Sequence, residues 1–454
     1  MKRKFTAITL SLVLMMFTVL MAACGGNSSN QSEQSSQQQN EQSSQQSSNT
    51  SSNNSSGSSG KVTVQFWHSL GGKNGEYLDR LIKAFNESQD KVEVVGTYQG
   101  SYAEAVTKLQ QAVAANTAPD IAMLERAYVQ MFAEADALED LTPYFDKTPD
   151  LKVDDFVPGL MGHSKFNNKL VALPFNRSTP IMHVNKTLLD QLGLQIPQTW
   201  DDLKKVANAL VIKQGNEYQR YGLSMPYDTW YPMAMITQAG GKFFNDEGTS
   251  VGFDSEGVKM FQFLKDLQST GALYYPPSQD SANIVRQMFI NQKVGLLFES
   301  TGVIGSIATN TKDKFEYVTA FLPADQKHAN PTGGANIAIM ASSKNKDAAW
   351  EFIHWAMTNP KGSLQFILDS GYLPYTKQMV ESKEIQDLWA KEPNRKVAYE
   401  QLQYAIDTNK HTAWPQVEQE FFSAIQAIMY DNKDIKSTLD TFKKETERIF
   451  KESQ

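Results

Sequence analysis

One short stretch of the sequence, PFNRSTPIMHVNK at 174–186, brings together side chains that perform chemistry in many proteins. Arg177, Ser178, Thr179 and His183 lie within it, and a serine with a histidine forms the nucleophile and base of many hydrolases. Two prolines hold this backbone extended, and the residues after the second proline alternate as in a strand. We therefore expect His183 to pack inside a sheet, and the stretch predicts no catalytic cluster.

Other signs of catalysis are equally weak. The Gly-x-Ser-x-Gly turn that typically carries a serine nucleophile is absent from the sequence. Metal catalysis favours paired histidines, whereas the six histidines here lack ligand spacing: His68, His163, His183, His328, His354 and His411. A glycosidase needs two carboxyl groups about 5 to 9.5 Å apart, and Glu125 with Glu299 is a pair that the sequence allows. We expect no enzyme, no metal and no cofactor, with a secreted glycosidase or phosphodiesterase as the less favoured alternative.

The N-terminal residues indicate export. Three basic residues precede an apolar run that is too short to span a membrane, which predicts a signal peptide over 1–23. Cys24 is the single cysteine of the 454 residues, so no intrachain disulfide is possible. The segment LMAAC resembles the lipobox of bacterial lipoproteins, which implies that Cys24 carries a lipid anchor on the extracellular face of the cell membrane. Residues 24–60 are then a disordered tether, because they are almost wholly Ser, Asn, Gln and Gly.

Size and charge limit the fold and the partners that we expect for the segment after residue 60. The segment after residue 60 is longer than one hydrophobic core usually serves, so two lobes are expected. The formal net charge is −7 at pH 7, and removal of the basic leader makes the remainder more acidic. An acidic balance argues against a nucleic-acid partner.

The order of predicted elements indicates an α/β protein. Strand, helix, strand, helix, strand is predicted over residues 61–67, 75–86, 90–98, 102–116 and 120–124. Further helices are predicted over 200–212, 255–270, 346–358 and 362–370, and helices dominate after 382. Alternation of strands and helices at the start favours a largely parallel sheet.

Seven spaced segments carry a family resemblance. They are FWHSLGG (66–72), APDIAMLE (118–125), LPFNRSTPIMHVNK (173–186), PQTWDDL (197–203), FINQKVGLLFESTG (289–302), GGANIAI (333–339) and SGYLPYTK (370–377). In this order and spacing the chain resembles the extracellular solute-binding proteins of ABC importers, family 1, which take up oligosaccharides and glycerol phosphates. Within that family, the members that bind glycerol 3-phosphate are the most similar.

The resemblance implies a two-lobed, type 2 periplasmic-binding-protein-like fold with the ligand in a cleft between the lobes. The expected N-lobe comprises residues 61–178 and 336–378, and the expected C-lobe comprises 179–335 and 379–454. It further implies a monomer that captures a small molecule and delivers it to membrane permease subunits with attached ATPases. The expected ligand is a glycerol phosphate or glycerophosphodiester, with an oligosaccharide as the alternative.

The family's ligand contacts can be carried over onto matching positions. They are Tyr102, Glu125, Ser178, Ser300, Gly334 and Tyr372. Trp67, His68 and Trp230 are added because a sugar or polyol site needs aromatic surfaces and hydrogen-bonding groups. Each has a structural alternative: the tryptophans as core residues, Ser300 as a helix cap and the glycines as a bend.

One carried-over contact fails. Where the glycerol-3-phosphate-binding members have an arginine near the C-terminal end, the segment WPQVEQ places Glu418. An acidic side chain does not replace a phosphate-binding cation, and this departure from the family pattern argues against intact glycerol 3-phosphate as the ligand. Arg177 is the candidate substitute for the missing cation, with Arg126 and His68 as other positive groups near the predicted site.

Overall fold

The computed structural model describes residues 60–406 and 410–453. The predicted signal peptide, Cys24 and the tether up to residue 59 lie outside the described residues. No helix in the described ranges is both long and apolar enough to cross a membrane.

The strands are β1 (Val62–His68), β2 (Val92–Tyr98), β3 (Ile121–Glu125), β4 (Lys165–Phe166), β5 (Lys169–Leu170), β6 (Leu173–Ser178), β7 (Pro180–Asn185), β8 (Ile212–Gln214), β9 (Glu217–Ser224), β10 (Lys242–Phe244), β11 (Val251–Gly252), β12 (Leu273–Tyr274), β13 (Val294–Ser300), β14 (Tyr317–Ala320), β15 (Asn330–Pro331), β16 (Gly333–Ile339) and β17 (Ala405–Ile406).

The helices are α1 (Gly72–Ser88), α2 (Tyr102–Ala114), α3 (Val129–Glu134), α4 (Thr142–Phe145), α5 (Lys186–Gln191), α6 (Trp200–Ala209), α7 (Trp230–Gln238), α8 (Ser255–Ser269), α9 (Ser281–Ile290), α10 (Ile304–Thr311), α11 (Lys346–Thr358), α12 (Gln365–Asp369), α13 (Lys377–Glu381), α14 (Lys383–Lys391), α15 (Pro393–Glu400), α16 (Trp414–Met429) and α17 (Ile435–Glu452). Short 3₁₀ turns and one π turn, at 360–364, connect some of them.

Two mixed sheets form the centres of two lobes, which confirms the predicted two-lobed α/β class. The first sheet has the order β2-β1-β3-β16-β6, with β1 parallel to β2 and β3 and with β16 antiparallel to both neighbours. The second sheet has the order β12-β9-β13-β7-β14, with β8 added beside β9. In it β13 runs parallel to β9 and antiparallel to β7. The predicted parallel arrangement therefore holds for β1, β2 and β3. Strands β16 and β7 run antiparallel to the strands beside them.

The alternation of β3 shows how the first sheet is buried on both faces. Ile121 and Met123 belong to one hydrophobic cluster with α1 and α11, and Ala122 and Leu124 belong to another. A strand with apolar side chains on both faces is typical of a sheet covered by helices on each side. Helix α1 presents Leu78, Leu81, Ile82 and Phe85 to the first cluster, the three-and-four spacing of an amphipathic helix.

The chain crosses between the two sheets at Thr179. Ser178 ends β6 of the first sheet and Pro180 begins β7 of the second. The return differs by a few residues, because β16 joins the first sheet from Gly333 rather than 336.

The last crossing differs more from the expected boundary at 379. Met379, Ile385 and Trp389 are buried in the same hydrophobic cluster as α1 and β1, so α13 and α14 pack on the first lobe. Helix α15 contacts both lobes: Ala398 is buried in that cluster, while Asn394 accepts from the Thr319 N–H of β14 at 2.9 Å and donates to the Tyr317 carbonyl at 3.1 Å. Helices α16 and α17 pack on each other, and α17 also contacts α8 of the second lobe. Helical periodicity identified these segments as helices, but it does not specify which core an apolar face meets.

Candidate functional site

A cavity of about 380 Å³ lies where the edges of the two sheets meet. From the first lobe it is lined by Ser101, Tyr102, Glu125, Tyr128, Ser178 and Tyr372, together with Gly333 and Gly334 at the start of β16. From the second lobe and α16 it is lined by Asp228, Trp230, Glu299, Ser300, Trp414 and Glu418. Several of these residues end strands or begin helices, which is where open α/β sheets bind ligands.

Local sequence explains why Tyr102 and Glu125 reach the cavity. Ser101 caps α2 in a capping box with Glu104, which fixes Tyr102 as the first helical residue. Glu125 ends β3, and its Oε2 accepts a hydrogen bond from the Ala127 backbone N–H at 2.8 Å. Burial raises the pKa of the Glu125 carboxyl, and the nearby Arg126 guanidinium opposes that rise.

Amide side chains hold the two cavity tyrosines of the first lobe. Asn176 Nδ2 donates to the Tyr102 hydroxyl at 2.9 Å, and Asn74 Nδ2 donates to the Tyr372 hydroxyl at 3.3 Å. The Tyr372 ring also stacks on Phe366, with ring centroids 5.6 Å apart. Both rings are therefore positioned by the protein, as the aromatic surfaces of a binding site need to be.

Two glycines at the start of β16 allow close contacts, Gly333 with Trp230 and Gly334 with the neighbouring strand β6. A Cβ atom at Gly333 would overlap the Trp230 indole, and one at Gly334 would overlap the Asn176 carbonyl oxygen. Gly334 also has a φ of +78°, which favours glycine. Trp230 Nε1 donates to the Pro331 carbonyl at 3.1 Å, so the indole is fixed against β15, which directly precedes β16 in the chain.

Glu299 and Ser300 end β13 on the opposite wall. Arg286 donates two hydrogen bonds to Glu299 Oε2, at 2.9 and 3.1 Å, which neutralises that carboxylate. The Ser300 hydroxyl accepts from the Gly302 N–H at 3.1 Å, so it also caps the turn that leads into α10. Glu125 and Glu299 both line the cavity, yet only Glu299 is held by an arginine through two hydrogen bonds.

Asp228 and Glu418 make the second-lobe side of the cavity acidic. Asp228 Oδ1 accepts from the Trp230 backbone N–H at 2.8 Å, and burial raises the pKa of Asp228 to about 6. Glu418 accepts from the Tyr128 hydroxyl at 2.7 Å and from the Thr229 hydroxyl at 3.3 Å. Burial raises the pKa of Glu418 to about 8, with the negative charges of Glu125 and Asp228 adding to the effect.

Arg177 lies behind the cavity rather than on its wall. Its side chain is fully buried and donates to the carbonyls of Gly333 and Leu160, each at 2.9 Å. It also donates to Asn336 Oδ1 and Thr332 Oγ1, each at 2.8 Å. The neighbouring Arg126 does border the cavity; it is buried and bonded to the Thr332 carbonyl and to His163.

Seven of the residues predicted for the site line this one cavity: Tyr102, Glu125, Ser178, Trp230, Ser300, Gly334 and Tyr372. Trp67 and His68 do not. Trp67 lies beside a small space of about 10 Å³ on the far side of Tyr102 and Glu125. His68 is buried at the end of β1 near Phe66 and Tyr98, and burial lowers its pKa.

Sequence reasoning missed Tyr128 and Asp228 as cavity residues. Tyr128 follows Glu125 by one short turn, and Asp228 sits in the loop between β9 and α7. The position of Asp228 after a strand end was a signal that could have found it. Glu418 was noted as a departure from the family pattern, but its approach to Tyr128 from a distant helix was not expected.

Two further polar residues have structural roles, and that of His183 confirms the prediction that it packs inside a sheet. Asp120 secures the loop before β3, accepting from the Gln65 N–H at 2.8 Å and from the Ser343 hydroxyl at 2.6 Å. His183 is fully buried within β7 and stacks on Tyr317, and burial lowers its pKa to about 4. Across the described residues, no group of three or more His, Cys, Asp or Glu side chains is arranged to hold a metal ion.

Residues 80–393 match the family described as bacterial extracellular solute-binding protein. The chain belongs to this family. The match covers more than half of the sequence and includes residues of both lobes.

Individual relatives agree on the class and differ in the ligand they are named for. The chain is 28% identical to the maltotriose-binding protein of Pyrococcus abyssi over 337 residues, which cover 72% of this chain and 69% of that protein. It is 25% identical to the sn-glycerol-3-phosphate-binding periplasmic protein UgpB of Rhizobium meliloti over 408 residues, which cover 83% and 91%. The crystal structure of UgpB from Mycobacterium tuberculosis in complex with glycerophosphocholine superimposes with a TM-score of 0.77 at 23% identity, covering 87% of this chain and all of that one. This last likeness supports the fold.

Proposed function

We propose that this protein captures an oligosaccharide outside the cell and delivers it to the permease of an ABC importer. The observation that carries the proposal is the composition of the cavity. Aromatic rings of Tyr102, Trp230 and Tyr372 face a space that also contains carboxyl and hydroxyl groups. Aromatic faces pack on the apolar faces of sugar rings, while carboxyl oxygens accept hydrogen bonds from sugar hydroxyls.

Each residue predicted for the site has a role in this proposal. Tyr102, Trp230 and Tyr372 provide the flat surfaces, and Glu125, Ser178, Ser300 and the Gly334 backbone provide hydrogen bonds. Trp67, His68 and Arg177 act indirectly by supporting the wall. Binding is followed by closure of the lobes about the crossings at 179 and 332, without bond chemistry.

A glycerol phosphate or glycerophosphodiester is the second candidate. It is favoured by Arg126, whose buried side chain borders the cavity, and by the serine hydroxyls at 178 and 300. Against it stand the half-buried Asp228 and Glu418, which line the same cavity, since carboxylates shielded from water repel a negatively charged phosphate group. Arg177, the expected substitute cation, uses its guanidinium to hold four acceptors of the protein.

Attachment and partners complete the proposal. Cys24 is the expected lipid-bearing residue after removal of 1–23, and residues up to 60 tether a monomeric binding body to the membrane surface. Labelling with a radioactive fatty acid tests this point: the wild-type chain should incorporate label and a Cys24→Ala chain should not.

The ligand class is tested by calorimetric titration of the purified protein. We expect saturable heat with maltotriose or a longer oligosaccharide, and weaker or absent heat with glycerol 3-phosphate. Tight binding of glycerol 3-phosphate alone would replace the first candidate with the second. Turnover of a glycoside or phosphodiester would contradict the binding function itself.

A further inference from the structure

The carboxyl groups around the cavity differ in whether a nearby cationic side chain compensates their negative charge. Glu299 is held by Arg286, and Glu125 Oε1 lies 3.8 Å from Arg126 Nε. Asp228 and Glu418 also line the cavity, and within 60–406 and 410–453 neither has an arginine, lysine or histidine at ion-pair distance. The second-lobe wall therefore carries negative charge without a matching cation from the described part of the protein.

The groups that do contact these two carboxyls are neutral donors. Glu418 is bonded to the hydroxyls of Tyr128 and Thr229, and Asp228 is bonded to the Trp230 backbone N–H. Thr229 directly follows Asp228, so the two acids approach the same part of the cavity. Burying carboxylates beside each other is unfavourable, and such a pair retains a proton near neutral pH unless a cation joins it.

The same part of the cavity is aromatic. Tyr128, Trp230, Trp414 and Phe422 line it together with the two acids. Trp414 is almost completely buried, and Phe422 is held by stacking on Tyr227 with ring centroids 5.3 Å apart. Aromatic faces next to carboxylates form the environment in which an ammonium group is best accommodated, through cation–π attraction and ion pairing.

We propose that the ligand of this cavity is a polyhydroxylated molecule that carries a cationic nitrogen, seated between Asp228, Glu418 and the aromatic side chains. The proposal rests on the proposed capture function and specifies the charge of the molecule captured. The hydroxyl-rich part of the ligand occupies the first-lobe wall near Tyr102, Ser178 and Tyr372. The nitrogen, as a primary or secondary amine or as a quaternary ammonium, supplies the positive charge that the second-lobe wall lacks.

Binding of such a ligand has a measurable proton balance. In the empty cavity a carboxyl O–H of the Asp228 and Glu418 pair keeps one of these acids neutral; when the cation binds, that bond breaks and the proton passes to the buffer. A neutral sugar brings no charge and leaves the proton in place. With a quaternary ammonium ligand, whose nitrogen has no proton to exchange, the released proton comes from the protein.

The test uses matched ligands titrated into the full protein by calorimetry. The glucosamine disaccharide is compared with its N-acetylated form, and glycerophosphocholine is compared with glycerophosphoglycerol, which has the same phosphodiester but no cation. Maltotriose is the neutral reference. In at least one pair we expect the cationic member to bind tenfold or more tightly, and to release up to one proton at pH 7 when buffers of different ionisation enthalpy are compared.

Substitutions test whether Asp228 and Glu418 cause the preference for the cationic ligand. Glu418→Gln and Asp228→Asn keep the hydrogen-bond acceptors but remove the charge, and each should reduce the preference for the cationic member about tenfold. Glu420→Gln makes the same change on α16 outside the cavity and should leave the preference intact. Circular dichroism of each variant verifies folding, and the two cavity variants give independent readings.

The outcomes separate the two proposals. If maltotriose or the N-acetylated disaccharide binds as tightly as the cationic ligands, the cation is not recognised, and the capture function stands alone. If a preference exists but survives in both cavity variants, the acidic pair is not its source and the inference is wrong. If none of the five ligands binds, the capture function proposed for this cavity is overturned together with the inference.

Discussion

The two walls of the cavity are built on different principles. On the first-lobe side, polar side chains are bonded to one another: Asn176 to Tyr102, Asn74 to Tyr372, and Arg177 to four acceptors. On the opposite side, Asp228 and Glu418 are half-buried acids held only by neutral donors among the described residues. The first wall is pre-organised whether or not a ligand is present, whereas the charge on the second is compensated only by protons or by a ligand.

This difference indicates that the first wall contributes to stability and the second wall to ligand selectivity. A hydrogen-bonded wall fixes the shape of the site, because the side-chain donors of Asn74, Asn176 and Arg177 already have acceptors. An uncompensated acidic wall reduces stability in the empty protein, and that cost is recovered when a suitable ligand binds. Four variants test this distinction.

Loss of the Arg177 side chain should have the largest effect. Arg177→Ala leaves the Leu160 and Gly333 carbonyls, Thr332 and Asn336 without their buried donor, so the free energy of unfolding should fall by about 3–5 kcal/mol. Urea denaturation measures it. Arg177→Lys should remain well below wild type, because an ammonium cannot reproduce the guanidinium fork.

The control for this substitution is Arg448→Ala, which removes an exposed arginine paired within α17. Its unfolding curve should lie close to wild type. Equal destabilisation by the two alanine variants would show that Arg177 does not hold the first wall.

Gly334→Ala tests the close approach at the start of β16. The new methyl group would overlap the Asn176 carbonyl and would also force alanine to a φ of +78°, so we expect a loss of about 2–4 kcal/mol in unfolding free energy. Gly193→Ala is the matched control, because Gly193 has a φ of +65° and no atom within 4 Å of the new methyl. It should cost only about 1 kcal/mol.

If both glycine variants lose the same stability, backbone strain accounts for the effect and the contact with Asn176 does not contribute. Thermal unfolding of the two variants side by side makes this comparison directly.

Glu418 should make stability depend on pH. Its folded-state pKa of about 8 lies above the ordinary value of 4.5, so the folded protein holds a proton that the unfolded chain releases. This contribution is fully present below the unfolded pKa and is lost as pH rises from about 4.5 to 8. The slope from this group approaches about 1.4 kcal/mol per pH unit within that window.

Glu418→Gln should flatten this pH dependence, while Glu420→Gln should leave it unchanged. Urea midpoints at pH 5, 6.5 and 8 provide the measurement. A slope that persists in Glu418→Gln would assign the proton to another group and remove the contrast between the two walls.

Tyr372→Phe should have the smallest effect. It removes one hydroxyl that accepts from Asn74 and leaves the ring stacked on Phe366, so unfolding should change by about 0.5–1.5 kcal/mol. Ligand affinity, measured by calorimetry, should fall severalfold. Tyr77→Phe, outside the cavity, serves as the reference; a loss of affinity in that variant would show that the effect is not local to the site.

Much of the local structure could be predicted from the sequence. The strand over 62–68, the helices that begin at Tyr102 and Ser255, and the helix over 346–358 all agree with side-chain periodicity and capping. Ser178, Ser300 and Tyr372 were placed at a site through the family resemblance, and all three line the cavity. Local patterns succeed here because they depend on residues within one or two turns of each other.

The differences from expectation share a physical cause. Arg177 lies in an extended segment between two prolines, yet the strands β6 and β16 bury its side chain, and the adjacent residues do not specify that burial. Helices α13 and α14 pack on the first lobe although residues from 379 onward were expected in the second, because an amphipathic face is compatible with either core. Long-range packing decided both cases.

The sequence alone, with its family resemblance, determined the α/β class, the two-lobed fold and seven of the residues that line the cavity, because helices and strands depend on periodicity and the family motifs carry the site residues. Only the tertiary structure decided which charges face the ligand. Arg177 and Glu418 are each a single charged residue in the sequence. Strand pairing buries Arg177 behind the cavity wall, whereas α16 places Glu418 on the wall. The charge of a binding site depends on burial and pairing between residues hundreds of positions apart, which only folding brings together.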